Sequence, residues 1–297
     1  MGPSYPLSVF DDRQLPPDFD GNVFIWDIDK TYLSTHFSSM KGLARIPIEF
    51  AIDKEAIAGM PEVLRGLRRG PGPTFAAAPL YFISSSPPQL KPVISRKMLL
   101  DGVQPDGFTF KNWLKTIRQL RPKRLRDHLG YKLCALLHGR RSRPLAREFL
   151  FGDNVERDAE TYSLYAALLS GELKRDALEG AMITGGVSPE DRLTVLELAE
   201  ELPETIGSVG RIFIHLARST PDDELQSFGS LVAPVRNACQ LCLVLFEMGL
   251  IDQDAVIQAT HAVSIALGRS RAKLEDTLED AIARQLVKDD TLHRLGL

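Results

Sequence analysis

Two carboxylates directly follow a short apolar segment near the start of the chain. Residues 23–26 read Val-Phe-Ile-Trp, and Asp27 and Asp29 come next, two positions apart. An apolar run this short, bounded by polar residues, is typical of a buried strand rather than of a helix. Side chains two positions apart in a strand point to the same side, so the carboxylates would repel each other. A shared proton or a hard, oxygen-binding cation such as Mg²⁺ would relieve that repulsion.

Two later segments repeat this pattern. Ser84 follows the apolar residues 80–83, and the acidic loop of Asp153 and Asp158 follows the apolar residues 149–151. The carboxyl ends of parallel strands open on the same edge of a sheet, which is where open α/β folds bind their ligands. We therefore expect these polar residues to lie close together. A solvated acidic turn is the alternative for the D-x-D pair taken alone.

Strands and helices alternate over roughly the first 185 residues. Helical spacing of apolar residues is found over 56–69, over 111–137 with interruptions, and over 159–169, between the strand candidates. This order predicts an α/β fold with a parallel sheet and right-handed crossovers. We place this domain at residues 21–185, after an irregular arm over residues 1–20.

The rest of the chain contains only helical patterns. After Pro189 we find no strand candidate, and the pattern predicts a separate all-α C-terminal domain over residues 186–297. Asp252 and Ser270 are the expected N-caps of its later helices. One face of this domain is a candidate surface for dimerisation or for a partner. The predicted helices cover residues 189–202, 205–218, 222–248, 252–267 and 270–287.

Composition limits the classes of protein to consider. The chain has 297 residues, 44% of them hydrophobic, and a net charge of −3, which predicts a globular protein and gives no sign of nucleic-acid binding. The longest apolar stretch, residues 238–251, is too short to span a bilayer. With three cysteines and no secretory leader, we expect a cytoplasmic protein, with Cys239 and Cys242 packed in a helix rather than serving redox chemistry or zinc.

Positive charge is concentrated in one segment. Residues 111–147 contain twelve Lys or Arg and one acidic residue. This segment is a candidate docking face for an anionic lipid surface, which would make the protein peripheral to a membrane. A solvated helix surface is the alternative. The six histidines lack the spacing of metal ligands, and we predict structural roles for them.

The polar clusters, taken in order, resemble the four motifs of the haloacid dehalogenase (HAD) superfamily of phosphatases. D-x-D-x-T corresponds to residues 27–31, the strand ending in Ser to Ser84, the helical Lys to Lys132, and G-D-x-x-x-x-D to residues 152–158. The resemblance implies a Rossmann-like core and a magnesium-dependent hydrolase of phosphoric monoesters that works through an aspartyl-phosphate intermediate.

The resemblance also implies a role for each residue. Asp27 would be the nucleophile, and Asp29 would protonate the leaving oxygen and later activate water. Ser84 and Lys132 would hold the phosphoryl oxygens. The metal-binding residues it implies are Asp27, Asp29 through its main-chain carbonyl and Asp153, with Asp158 as an alternate ligand or as a residue that supports the ligands.

The sequence also offers a second register for the first motif. Residues 29–31 spell the D-K-T of cation-pumping ATPases, a branch of the same superfamily in which Asp29 would be the nucleophile. Tyr32 stands where that branch has glycine, and Asp27 is the residue that directly follows the strand. We therefore assign Asp27 as the nucleophile.

A narrower resemblance covers about residues 20–172. Besides the four motifs, residues 59–64 (Gly-Met-Pro-Glu-Val-Leu), 81–87 and 107–110 are similar to the catalytic domain of the actin-patch phosphatidate phosphatase family. This resemblance implies phosphatidate as the phosphorylated substrate. A protein or small-molecule phosphate is the alternative substrate, and a non-catalytic binding or scaffold protein on the same fold is the alternative outside enzymes.

Overall fold

The computed structural model describes residues 5–34, 55–112, 128–217 and 229–295. Its strands are β1 Leu7–Asp11, β2 Asn22–Asp27, β3 Leu80–Ser84, β4 Gly107–Lys111, β5 Arg147–Asp153, β6 Val209–His215 and β7 Val232–Val235. They form one sheet in the order β1-β4-β3-β2-β5-β6-β7. All neighbouring strands are parallel except β1, which pairs antiparallel with β4.

Helices connect these strands and follow the last of them. In the described residues they are α1 Met60–Arg69, α2 Lys91–Leu100, α3 Leu129–Ser142, α4 Asp158–Leu169, α5 Arg175–Thr184, α6 Pro189–Glu200, α7 Ala238–Glu247, α8 Gln253–Ala266, α9 Arg271–Ala283 and α10 Asp289–Leu295.

The helices cover the sheet from both sides. Helices α3 to α6 pack in one hydrophobic cluster with aliphatic strand residues such as Ile25, whereas α1, α2 and α7 to α10 pack with aromatic ones. On the aromatic face, the rings of Trp26 and Phe151 stack at 4.1 Å, and those of Phe151 and Phe213 at 4.8 Å. The strands are therefore buried on both faces, as expected of a parallel sheet.

The topology determines where ligands bind. Strand β2 lies in the middle of the sheet, with β3 on one side and β5 on the other. Chain connections therefore run in opposite directions from β2, which leaves a crevice at its carboxyl end. Asp27 is the last residue of β2 and lies at this point.

Much of the predicted fold is confirmed. The structure has the α/β class, the largely parallel sheet and several helices in the C-terminal part. Asp252 and Ser270 cap α8 and α9, each accepting a hydrogen bond from the main-chain N–H three residues ahead. Cys239 and Cys242 are buried, unbridged residues of α7, as predicted.

The prediction that no strand follows Pro189 is wrong. Strands β6 and β7 extend the sheet beyond β5, so the C-terminal part is not all-α, and residues 205–218 do not form the predicted helix. The run Ile212-Phe213-Ile214 is buried on both faces, and such runs have no periodicity that separates strand from helix. Strand β7 lies within residues 222–248, which were predicted to be helical, and its Pro234 is tolerated because β7 is at the sheet edge.

Two further predictions need correction. The arm over residues 1–20 is not wholly irregular, because β1 pairs with β4. The helical pattern predicted over 111–137 begins in a strand, since Lys111 ends β4, and it continues in α3; residues 113–127 lie outside the described part of the chain.

The basic segment contributes less to the surface than its sequence suggests. Six of its twelve basic residues lie in the undescribed residues 113–127. Of the other six, Lys111, Lys132, Arg140 and Arg143 are buried. In the described ranges, none of the helices has both the length and the apolar character needed to cross a membrane.

Candidate active site

Lys132 is the only basic side chain that penetrates the centre of the acid cluster in the described structure. It belongs to the first turn of α3, and its ammonium group is fully buried. Its Nζ lies 2.8 Å from Asp27 Oδ1 and 3.3 Å from Glu156 Oε2, and it forms a third ion pair with Asp158. A charge buried this deeply requires such partners.

Asp158 makes contacts that hold two other site residues in position. Its Oδ1 pairs with Lys132, and its Oδ2 accepts a 3.0 Å hydrogen bond from the main-chain N–H of Asp153. The carboxylate packs directly on Gly152, where a Cβ would lie 2.3 Å from Oδ2. Glycine is therefore required before Asp153, and both oxygens of Asp158 are engaged within the protein.

Asp153 presents one oxygen to the centre of the site. Its Oδ1 accepts hydrogen bonds from the main-chain N–H groups of Val155 and Glu156, which fixes the turn that follows β5. Its Oδ2 is buried and has no hydrogen-bonding partner among the described residues. An unpaired, buried carboxylate oxygen is costly unless a ligand completes it.

Three of the acidic side chains form a group that could hold a metal ion. Asp27, Asp153 and Glu156 each offer a carboxylate oxygen, and these atoms lie within 4.8 Å of one another. Hard oxygen ligands of this kind suit Mg²⁺. The unpaired oxygen of Asp153 belongs to this group, so the residues fit a divalent cation.

This group of three contains two of the predicted ligands, Asp27 and Asp153, and adds Glu156. Glu156 was missed, although it lies inside the fourth motif. The carboxylates of Asp29 and Asp158 are outside the group of three, and both are engaged with other side chains. The predicted contribution of Asp29 through its main-chain carbonyl stays a prediction.

Asp29 is held by hydroxyl groups at the end of β3. Its Oδ2 accepts hydrogen bonds from Ser84 Oγ at 3.2 Å and Ser86 Oγ at 3.0 Å. The main-chain N–H of Ser86 donates to Ser84 Oγ at 3.1 Å, and the hydroxyl of Tyr131 donates to the Ser84 carbonyl at 2.6 Å. The predicted serine therefore contacts the predicted acid–base residue.

Glu156 lies among donors. Ser85 Oγ donates to its Oε2 at 3.1 Å, His128 Nδ1 is 3.2 Å from the same oxygen, and Lys30 Nζ is 4.0 Å from Oε1. His128 was predicted to be structural, but the fold brings it to the edge of the site. Its position directly before α3, four residues ahead of Lys132, was the available signal.

Burial and like charge determine the electrostatics of the cluster. Burial raises the pKa of Asp27 well above its usual value, and neighbouring carboxylates raise it further while Lys132 opposes the shift. Burial also raises the pKa of Asp153, and that of Asp158 to about 6. Burial opposes the charge of Lys132, but its acidic partners outweigh it and raise the Lys132 pKa.

The pKa of Glu156 shifts in the opposite direction to those of the three aspartates. Burial alone would raise its pKa, but Lys132 and the contact with His128 outweigh burial and hold the pKa below its usual range. Glu156 and Lys132 therefore remain charged at neutral pH. Asp27, Asp153 and Asp158 add three more acidic groups around the buried Lys132. The repulsion among these acids makes the site attractive to a cation.

The fold and the site are consistent with the haloacid dehalogenase type of α/β protein. All six predicted site residues lie at this end of the sheet: Asp27, Asp29, Ser84, Lys132, Asp153 and Asp158.

A comparison with family models identifies the family. Residues 23–174 match the family described as phosphatidate phosphatase APP1, catalytic domain, and the chain belongs to this family. The match contains every site residue described above, and it ends before α5, so it does not include β6 and β7. Comparisons with curated proteins and with solved structures each gave no significant match.

Proposed function

We propose that this protein is a Mg²⁺-dependent phosphatase that removes the phosphate group of phosphatidate through an aspartyl-phosphate intermediate. The observation that carries the proposal is the buried contact of Asp27 with Lys132, beside two further acids, at the switch point of the sheet. Membership of a phosphatidate phosphatase family supports the substrate. Phosphatidate lies in a lipid surface, so the proposed reaction takes place at a membrane face.

Asp27, Asp153 and Glu156 would hold Mg²⁺, with the main-chain carbonyl of Asp29 as a further proposed ligand. When bound, the ion neutralises charge on the phosphoryl oxygens. Asp158 supports this set indirectly, since it holds Lys132 and the main chain of Asp153.

The first step transfers the phosphoryl group to Asp27. Because Lys132 pairs with Oδ1 of Asp27, Oδ2 of Asp27 is the proposed attacking oxygen. Thr31 Oγ1 lies 3.5 Å from this Oδ2. The new bond joins this oxygen to phosphorus, and the ester bond to the diacylglycerol oxygen breaks. Protonated Asp29 gives its proton to that oxygen as it leaves. Lys132 stabilises the charge that develops on the phosphoryl group.

The second step hydrolyses the intermediate. Asp29, now a carboxylate, takes a proton from water as the water oxygen bonds to phosphorus. The bond between phosphorus and Asp27 breaks, which restores the carboxylate and releases inorganic phosphate. The hydroxyls of Ser84 and Ser86 are within hydrogen-bonding distance of Asp29, and Ser84 can turn from Asp29 to a phosphoryl oxygen.

Phosphate release tests this proposal. Wild type and Asp27→Asn are assayed with phosphatidate in mixed micelles and with p-nitrophenyl phosphate, each with Mg²⁺ and with EDTA. Asp191→Asn is the matched control, because Asp191 is equally buried but lies in α6, where it accepts a hydrogen bond from Ser188, the N-cap of that helix. We expect Mg²⁺-dependent release by wild type and the control, and loss of release in Asp27→Asn.

The same assay separates the alternatives. Activity on p-nitrophenyl phosphate but not on phosphatidate would point to a protein or small-molecule phosphate. Absence of turnover on both, with Mg²⁺ binding retained, would favour a binding or scaffold protein.

A further inference from the structure

We propose that His215, at the end of β6 and outside the family match of residues 23–174, is a positioning residue that orients Asp29 for proton transfer. This inference rests on the proposed phosphatase reaction. It assigns part of the active site to the C-terminal part of the chain, in a strand that the sequence did not predict.

Lys30 has an unusual backbone conformation. This residue directly follows Asp29 and has a φ of 62°, in the left-handed region that side chains other than glycine rarely adopt. Its N–H donates to the carbonyl of Leu33 at 2.8 Å, which closes a tight turn. An unfavourable conformation of this kind persists only when surrounding contacts maintain it.

His215 supplies a contact on the other side of that turn. Its Nδ1 lies 2.7 Å from the main-chain carbonyl oxygen of Lys30. A carbonyl oxygen can only accept, so Nδ1 carries the hydrogen in this contact. The hydrogen bond fixes the peptide plane after Lys30, and the orientation of the preceding Asp29 depends on the same turn.

The main chain of His215 holds a second acidic loop. His215 is the cross-strand neighbour of Asp153, and its carbonyl accepts a 3.2 Å hydrogen bond from Asn154 N–H. One residue therefore connects the turn after β2, which carries Asp29, to the turn after β5, which carries Asp153. Its ring contacts the first turn and its main chain the second.

The side-chain contribution can be isolated with two substitutions of similar size. His215→Asn keeps an amide N–H near the position of Nδ1, whereas His215→Leu removes the donor. We expect His215→Leu to lower kcat for phosphatidate about 10- to 100-fold with little change in KM, because small errors in the placement of a catalytic group are costly. His215→Asn should keep most of the wild-type kcat.

Two substrates with different leaving groups separate a positioning role of His215 from a merely structural one, because only a positioning role makes the loss of kcat depend on the leaving group. The alkoxide of phosphatidate needs a proton from Asp29, whereas p-nitrophenolate leaves readily without one. The loss in His215→Leu should therefore be much larger for phosphatidate than for p-nitrophenyl phosphate. Equal losses on both substrates, or equal kcat values in the Leu and Asn variants, would overturn the proposal.

His138→Leu is the control variant. His138 is a histidine of α3 whose side chain is exposed to solvent. It lies in a cavity lined by Ile25, Tyr81 and Arg143 rather than at the acid cluster. His138→Leu should leave kcat unchanged.

A measurement on the wild-type protein keeps the proposal testable if the variants do not fold. The ring of His215 also has a main-chain hydrogen-bonding partner at Arg236. Nuclear magnetic resonance with ¹⁵N-labelled histidine distinguishes the two ring nitrogens. We expect a hydrogen on Nδ1; a ring protonated on Nε2 alone would overturn the proposal.

The position of the hydrogen on the His215 ring can be measured without turnover. The proposed phosphatase function and the proposed role of His215 can therefore fail separately. A protein without phosphatase activity but with the Nδ1 hydrogen contradicts the proposed function and leaves the contact in place. An active phosphatase whose Nδ1 lacks the hydrogen contradicts only the role of His215.

Discussion

Two buried ion networks lie at opposite ends of the same helix and strand. Lys132 in α3 and Asp153 in β5 belong to the candidate active site, whereas Arg140 in α3 and Glu148 in β5 form the second network. The two ends of the strand are separated by about 17 Å, at roughly 3.3 Å per residue. Burial is similar at both ends, but the balance of charge is not.

The second network is fully paired. Glu148 Oε2 accepts hydrogen bonds from Arg140 Nη2 and from the hydroxyl of Tyr165, both at 2.7 Å. Its Oε1 accepts from Arg143 Nε at 2.9 Å. Two guanidinium groups thus surround one carboxylate, and both of its oxygens are satisfied. Such a network fixes the position of α3 on the sheet.

The network at the candidate active site contains more acidic than basic groups. Lys132 faces the carboxylates of Asp27, Glu156 and Asp158, and Asp153 leaves an oxygen unpaired among the described residues. The repulsion among these acids destabilises the folded protein, and the proposed binding of a cation would relieve it. Burial alone therefore does not mark a candidate functional charge, whereas an incomplete set of partners does.

Removing one of the two cations of the second network should produce the largest change in stability. Arg140→Met leaves Glu148 buried with fewer donors, so we expect a loss of about 3–5 kcal/mol in the free energy of unfolding. Urea denaturation measures this loss. The kcat of the molecules that remain folded should equal that of wild type, and a large drop in kcat would show that the two ends are not separate.

The equivalent substitution at the other end should act on turnover. Lys132→Met removes the charge that stabilises the phosphoryl group in the proposed mechanism, so we expect kcat to fall about 100- to 1000-fold. Steady-state kinetics with p-nitrophenyl phosphate measures it, with Arg140→Met as the control. Similar kinetic effects of the two substitutions would remove the distinction between the networks.

The excess of acidic groups at the candidate active site should also make the stability of the metal-free protein depend on pH. Asp158 has a pKa of about 6 in the folded protein against an ordinary value of 3.8, and that of Asp27 is raised too, by burial above all. The folded state therefore binds more protons between these values, so stability falls as pH rises from about 4 through 6. The expected fall is on the order of 1–3 kcal/mol.

Urea denaturation in EDTA across this range measures the fall. Asp27→Asn should show a flatter profile than wild type, since one of the titrating groups is gone. A wild-type profile that rises with pH in the same window, or one unaffected by the substitution, would contradict the assignment of the excess charge to these residues.

The smallest effect concerns Asp29. Ser86→Ala removes one of two hydroxyl groups that donate to its Oδ2, at 3.0 Å, and leaves that of Ser84 at 3.2 Å. A single hydrogen bond of this kind contributes about 1 kcal/mol, so we expect a several-fold decrease in kcat and unchanged stability. A decrease as large as that of Lys132→Met would place Ser86 in the phosphate site instead.

The sequence is most informative about candidate site residues that directly follow strands. Asp27, Ser84 and Asp153 each end an apolar run, and that arrangement is visible without a structure. The sequence could not show which acid of the loop after β5 turns inward. Glu156 does so because Ser85 and His128, from distant segments, provide its partners.

Strand β6 was missed for a different reason. Its run Ile212-Phe213-Ile214 is too short and too uniformly apolar to show a period. The available signal was the polar residue after it, since His215 follows an apolar run in the same way as Asp27 follows 23–26. Contacts such as that between His215 and Lys30 depend on sheet order, which the sequence leaves open.

Magnesium titration by calorimetry tests the central claim most directly. The variants are wild type, Asp153→Asn and the control Asp191→Asn, each first freed of metal. We predict one Mg²⁺ site in wild type and in the control, and loss of that site in Asp153→Asn, whose unpaired oxygen would be a ligand. Binding that is absent from wild type, or unchanged in Asp153→Asn, would contradict the account of the acid cluster as a metal-dependent site.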